Sequence, residues 1–154
     1  MPKEVSINFN TSTFSRNFLA WSAAKLQAAK EGVGEACEML MNDTVVELPT
    51  APVRMTYLRG SASVFVNGRF RRQSSHGIAR YLTRTSSTKA QHNQIIGETV
   101  FNAPYSARWH ENWPPSGRFR DPSAGIKYME RKLYGNAHKY FAHIAYKVKT
   151  RGKP

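Results

Sequence analysis

The chain has 154 residues, 40% of them hydrophobic, and Lys and Arg outnumber Asp and Glu by 23 to 10, a formal net charge of +13. That length fits one domain with a real core, and no apolar run approaches the ~20 residues of a membrane helix. A basic surplus of this size is the mark of a polyanionic partner or strongly negative surroundings. The single Cys37 excludes an intramolecular disulfide and falls in an alanine-rich stretch, where a small buried apolar residue is expected rather than a catalytic thiol. MPKEVSINFN has neither the charged start nor the apolar centre of a signal peptide, so synthesis in the cytoplasm is expected.

Along the chain, a flexible start to about residue 11 is followed by apolar residues at three- and four-residue steps: Phe18, Leu26, Ala29, Val33, Ala36, Cys37 and Leu40. That spacing predicts an amphipathic helix from Phe14 to about Asn42, capped by Ser12 or Thr13. Gly32 and Gly34 inside it predict a bend or a close packing contact. Pro49 and Pro52 end the helical pattern. Ser61 to Val66, then Asn67-Gly68, then Arg69-Phe70-Arg71 is a hairpin signal, because Asn-Gly accepts the positive φ values of a type I′ turn. Ile95 to Phe101 has the composition of another strand and Gly77 to Arg84 that of a fourth.

Thr85 to Asn93 and Pro114 to Gly125 lack periodicity and are expected as loops. From Ile126 the helical spacing returns, with Met129 and Leu133, and predicts a helix to about Ala145, then a basic tail over residues 147–154. The order predicts one α+β domain: a long N-terminal helix, an antiparallel sheet of about four strands and a C-terminal helix on the same face.

Charge is unevenly placed. No acid occurs between Glu47 and Glu98, whereas Arg71, Arg72, Arg80, Arg84 and Lys89 all lie there; the acids concentrate in Glu31, Glu35, Glu38, Asp43 and Glu47. Such a chain can pair acidic helix against basic region between copies, or face a polyanion with one surface.

Motifs of catalysis are missing. His110-Glu111 lacks the second His one helical turn on, position 114 being Pro114, so a zinc site is not expected there. There is no phosphate-binding glycine loop and no nucleophile elbow. No enzyme, no cofactor and no metal is therefore expected. The basic-aromatic runs Arg69-Phe70-Arg71-Arg72 and Arg118-Phe119-Arg120 suit phosphate contact and base stacking, although period-two alternation also explains them as Phe turned in and Arg turned out.

Three segments follow the long helix in fixed order: PTAPVRMTYLRGSASVFVNG from Pro49, IIGETVFNAPYSARWHE from Ile95 and AGIKYMERKL from Ala124. In this order and spacing the chain resembles the neck, minor-capsid and tail-completion family of tailed bacteriophages. The matching elements are that family's Pro-x-x-(Thr-Gly)-x-Leu-Arg-x-Ser, its strand ending in Tyr-Ala with a His-Glu, and its Lys-Tyr-Leu-Glu helix start. The Thr-Gly appears here as Met55-Thr56-Tyr57 and the Tyr-Ala as Tyr105-Ser106-Ala107. The resemblance implies a non-enzymatic virion protein at the head-tail junction or tail top, assembled as a homo-oligomeric ring, hexameric or dodecameric, against other head-closure, adaptor or tail proteins.

On that resemblance Leu58 opens the first strand as a core residue, and Arg59 is an interface or packing arginine. Tyr105, Trp109, His110, Glu111, Trp113, Tyr128 and Glu130 fill core or subunit contacts. Arg71, Arg72, Arg80, Arg84 and Lys89 then line a DNA channel or meet an acidic neighbour. The alternative from composition is a small basic domain that binds nucleic acid without sequence specificity.

Overall fold

The computed structural model describes residues 11–52, 56–81, 86, 89–90, 94–112, 114 and 116–151. Trp113 and Arg84 lie outside the described residues. So does most of the expected Thr85 to Asn93 loop, whose described residues Ser86, Lys89 and Ala90 have no regular structure.

The chain folds as an α+β protein in which α1, Thr11–Val46, is one uninterrupted helix of 36 residues, about 54 Å long at 1.5 Å per residue. It starts at Thr11, so Ser12 and Thr13 lie inside its first turn instead of capping it, and it outlasts Asn42 by one turn. Its apolar stripe is shorter than the periodicity predicts. Ala28, Ala36, Leu40, Met41 and Val45 are buried, whereas Phe18 is 54% and Leu26 47% exposed; among the described residues α5 packs on the helix from about Lys25 onward.

The sheet has three antiparallel strands among the described residues, in the order β2-β1-β3. β1 is Ala62–Val66, β2 is Arg69–Gln73 and β3 is Gly97–Phe101. Asn67 (φ 51°) and Gly68 (φ 76°) make the expected turn, both positive as a type I′ hairpin requires. Ile95 and Ile96 precede the third strand instead of opening it, since Asn67 holds both the amide and the carbonyl of Ile96. The expected fourth strand is not formed over Gly77–Tyr81. Gly77 (φ 115°) instead turns the chain beneath a one-turn helix, α2, Tyr57–Gly60, and the Ile78 amide donates to Thr56 Oγ1 at 3.2 Å. Leu58 is core, 1% exposed, but it sits in α2 and not at a strand start.

After β3 comes α3, Ser106–Glu111. The single C-terminal helix expected from Ile126 is two helices, α4, Tyr128–Gly135, and α5, Ala137–Arg151. They break at Asn136, whose amide group donates to Asp43 of α1 and to Glu47 just past its end. The expected tail is helical as far as Arg151, and Lys147 is largely covered.

β1 is buried on both sides. Ala62 and Val64 pack with Met41 and Val45 of α1, Leu58, Phe101 and Tyr128; Phe65, fully buried, meets Phe70 edge-on at 5.9 Å. α1 approaches the sheet closely at Gly97, where a Cβ would lie 2.5 Å from Cys37 Sγ and 2.6 Å from Val33 Cγ1. Burial at this contact pushes the Cys37 thiol up to about 11. α5 runs antiparallel to α1: Tyr140 packs with Ala36 and Leu40, and Lys25 Nζ donates to the Val148 carbonyl at 3.0 Å. Of the two expectations at the helix glycines, close contact is present: a Cβ at Gly32 would stand 3.1 Å from Ile144 Cα.

The four acids of α1, and Glu47 just past its end, are all bound within the fold. Glu31 pairs with Arg151 at 3.6 Å, Glu35 with Lys147 at 2.8 Å and His143 at 2.6 Å, and Glu38 with Arg71 at 2.6 Å and Arg72 at 2.9 Å. Asp43 accepts from Lys139 and from the Tyr140 hydroxyl at 2.8 Å, and Glu47 meets Lys139 and Lys132.

Adding one methyl at the closest helix-sheet contact tests this packing. Gly97→Ala is expected to lower unfolding free energy by about 1–3 kcal/mol through overpacking, measured by urea denaturation. An unchanged midpoint would contradict the contact.

Candidate functional site

Phe101 to Glu111 is built into the molecule at several points. The Asn102 side chain donates to the Ser61 carbonyl and to Ser63 Oγ, both at 2.8 Å, and the Ala103 amide donates to Ser61 Oγ at 3.1 Å. Ser106 Oγ turns back to the Phe101 carbonyl at 2.9 Å. Helix α3 therefore leaves the end of β3 at a fixed angle, with Tyr105 and Trp109 on one side and His110 toward α4.

His110, Glu111, Tyr128 and Glu130 come together around Lys127, which opens the Lys-Tyr-Met-Glu helix start but was not among the expected contact residues. The His110 ring stands edge-on to Tyr128 at 4.9 Å and its Nδ1 lies 2.7 Å from Glu111 Oε1. Lys127 Nζ bonds Glu111 and reaches Glu130 at 3.2 Å, while its amide donates to the His110 carbonyl at 2.7 Å. Hydrogen bonds from Lys127 and His110 hold the Glu111 carboxyl below the usual carboxylate range, and the bonds of Lys127 to Glu111 and Glu130 raise Lys127. Tyr128 is raised by burial. This is an ion-paired joint between α3 and α4, and a stabilised Glu111 carboxylate is poorly suited to general-base work. Among the described residues, no three His, Cys, Asp or Glu side chains converge to hold a metal.

Arg59 is a staple. Its guanidinium donates to the Ala51 carbonyl at 2.8 Å, Thr50 Oγ1 at 2.8 Å and Asp121 at 2.9 Å. Asp121 also accepts from the Ser123 amide and hydroxyl, and Thr50 pairs with Ala124 in an isolated parallel bridge. Burial raises Asp121, but the Ser123 hydrogen bonds and the Arg59 charge outweigh it and hold the carboxyl below its ordinary value. Burial lowers Arg59, and Asp121 opposes that shift.

Beside the staple lies a cavity of about 180 Å³ floored by Leu58, Pro52, Tyr105 and Trp109 and walled by Pro114, Ser116, Arg118, Phe119 and Arg120. Phe119 turns inward, edge-on to Trp109 at 5.7 Å, and Arg118 and Arg120 point to solvent. The alternation of Arg-Phe-Arg is the sequence signal for this wall.

The four described basic candidates do not all share one surface. Arg71 and Arg72 clamp Glu38, Arg80 lies over the rings of Tyr57 and Tyr81 at 5.1 and 5.8 Å, and Arg84 is outside the described residues. Lys89 and Arg71 line a trough of about 1000 Å³ between α1 and the hairpin tip. Lys30 and Arg69 share that trough; Arg69 belongs to the basic-aromatic run read from the sequence, whereas Lys30 had no such signal.

What the coordinates define is an α+β protein with two built features, an aromatic cavity and a basic trough. No family model, no curated protein and no solved structure matches the chain. No helix among the described residues is long and apolar enough to cross a membrane.

The Arg59–Asp121 staple sets a pH dependence. Because the folded Asp121 is held below its ordinary 3.8, the unfolded chain binds the proton more readily, and the pair's contribution is present above 3.8 and lost as pH falls through the lowered folded value. Asp121→Asn is expected to cost about 2 kcal/mol at neutral pH, with the gap to wild type narrowing on acidification, measured by urea midpoints across pH. A gap independent of pH would contradict the assignment.

Proposed function

We propose that the chain is a structural virion protein of a tailed bacteriophage, a ring-forming component of the neck or tail completion that joins head and tail around the DNA channel. The observation that carries this reading is the first part of α1. Ser15 to Trp21 are all exposed, including Leu19 at 66% and Trp21 at 45%. Since α5 reaches back only to Lys25, residues 11–24 project about 21 Å beyond it. A second apolar surface lies elsewhere, with Tyr134, Phe141 and Tyr146 of α4 and α5 at 73%, 70% and 62% exposure.

Two different apolar surfaces on one chain favour a head-to-tail contact, the kind that closes into rings, and aromatic residues are favoured at such contacts. The order of the three sequence segments supports placing that ring in a phage neck. Lys30, Arg69 and Lys89 then face the DNA that passes through. Tyr105, Trp109 and Tyr128 act as core and contact residues, not as catalysts.

The trough favours a second reading, a free-standing nucleic-acid-binding domain. The two readings differ in mass and in salt response. Light scattering of the purified protein in moderate salt is expected to give a multiple of the monomer mass, falling to the monomer in a Leu19→Ser, Trp21→Ser variant. A wild-type monomer that binds oligonucleotides with a steep salt slope, reduced by about 1 for each of Lys30→Ala and Arg69→Ala, would overturn the ring in favour of the binding domain.

A further inference from the structure

The aromatic cavity beside α3 is separate from the exposed first part of α1. Leu58, Pro52, Pro114, Tyr105, Trp109 and Phe119 give it an apolar interior. Arg118 and Arg120 stand at its rim, exposed, and Arg108 lies over the outer part of Trp109, its guanidinium 5.6 Å from the ring centroid. The staple of Arg59 to Asp121, Thr50 and Ala51 ties the two walls together, so the cavity is preformed. Its volume of about 180 Å³ admits one bulky side chain and not a folded element.

We infer that this cavity is a docking site for an acidic segment of a different protein, which inserts one large apolar side chain between Trp109, Phe119 and Leu58 and sets its carboxylates against Arg108, Arg118 and Arg120. The charge pattern selects the occupant. Among the described residues no carboxylate reaches ion-pair distance of these three arginines, while eight of the nine described acids are paired elsewhere, on α1, at Lys127 and at Arg59. The ninth, Glu98, accepts from Ser86. A second copy of these residues therefore brings no spare acidic segment, and a partner of opposite charge is required.

The interior selects against a nucleobase. Its rings meet edge-on, Trp109 and Phe119 at 62° and Tyr105 against Tyr81 at 88°, so there is no parallel slot for a flat base. The Ser116 hydroxyl already donates to the Arg118 carbonyl at 2.9 Å. An aliphatic or aromatic anchor in a dry pocket ringed by charge is instead the arrangement that concentrates protein-protein affinity. This site stands apart from the α1 arm, and its test does not depend on assembly.

The test is fluorescence anisotropy of the full chain with a fluorescein-labelled peptide carrying a single Phe between runs of Glu and Asp. The controls are the same peptide with Ala for Phe and a labelled oligothymidylate. The Phe peptide is expected to bind at least about tenfold tighter than the Ala peptide, a difference of about 1.4 kcal/mol, and to alter Trp109 emission. Arg118→Glu with Arg120→Glu, both on exposed loop positions, is expected to abolish that binding with no change in melting temperature. Equal binding of the Phe and Ala peptides would overturn the proposal by reducing it to bulk charge attraction. So would oligothymidylate competing as strongly as the Phe peptide, or peptide binding that survives the double charge reversal.

Discussion

The row of acids on one long helix is the constraint on which the structure depends. Glu31, Glu35, Glu38 and Asp43 along the packed part of α1, with Glu47 just past its end, take cations from three elements: Glu31, Glu35 and Asp43 from α5, Glu38 from β2, and Glu47 from α4 and α5. Individually, part-exposed ion pairs contribute little; as a series they fix rotation and register of everything laid on α1, and the apolar contacts beneath supply the energy. The close approaches of Gly32 to Ile144 and of Gly97 to Cys37 are then consequences of where the pairs put α5 and the sheet.

That arrangement also decides what the surface is. Once its acids are bound internally, a chain of net charge +13 presents cations outward. Those cations fall into separate groups: Lys30, Arg69 and Lys89 in a trough, and Arg108, Arg118 and Arg120 around an aromatic cavity. The first group has the shape of a phosphate-backbone surface, the second that of an anchor-residue pocket. Meanwhile the first part of α1, with no acid row, has no α5 beside it and exposes Leu19 and Trp21. One helix thus has an internal half and an outward half.

Much of the architecture was legible in the sequence where the signal is local. The 3.6-residue pattern gave α1, and Asn67-Gly68 gave the hairpin, because φ > 0 at both positions is a property of those two residues. The misses are tertiary. Phe18 and Leu26 fit the helical stripe yet are exposed, since periodicity marks a face and not the length over which a partner covers it. Gly77–Tyr81 has strand composition, but close packing at Thr56 and Gly60 turns it away. Asn136 breaks the last helix for two carboxylates about ninety positions earlier. At the site, Trp109 and His110 were visible as an aromatic cluster; Lys127, Arg59's staple and the inward turn of Phe119 depend on segments brought together only by folding. The acidic cluster was noticed, and its internal pairing was not readable, because every partner lies far away along the chain.

The central claim is that the first half of α1 is an assembly element and the second half an internal one. Amide hydrogen exchange of the full chain, followed at low and high protein concentration, tests it most directly. The account predicts that protection of residues 15–24 rises with concentration while protection of residues 28–45 stays constant. Protection of residues 15–24 that does not change with concentration would contradict it.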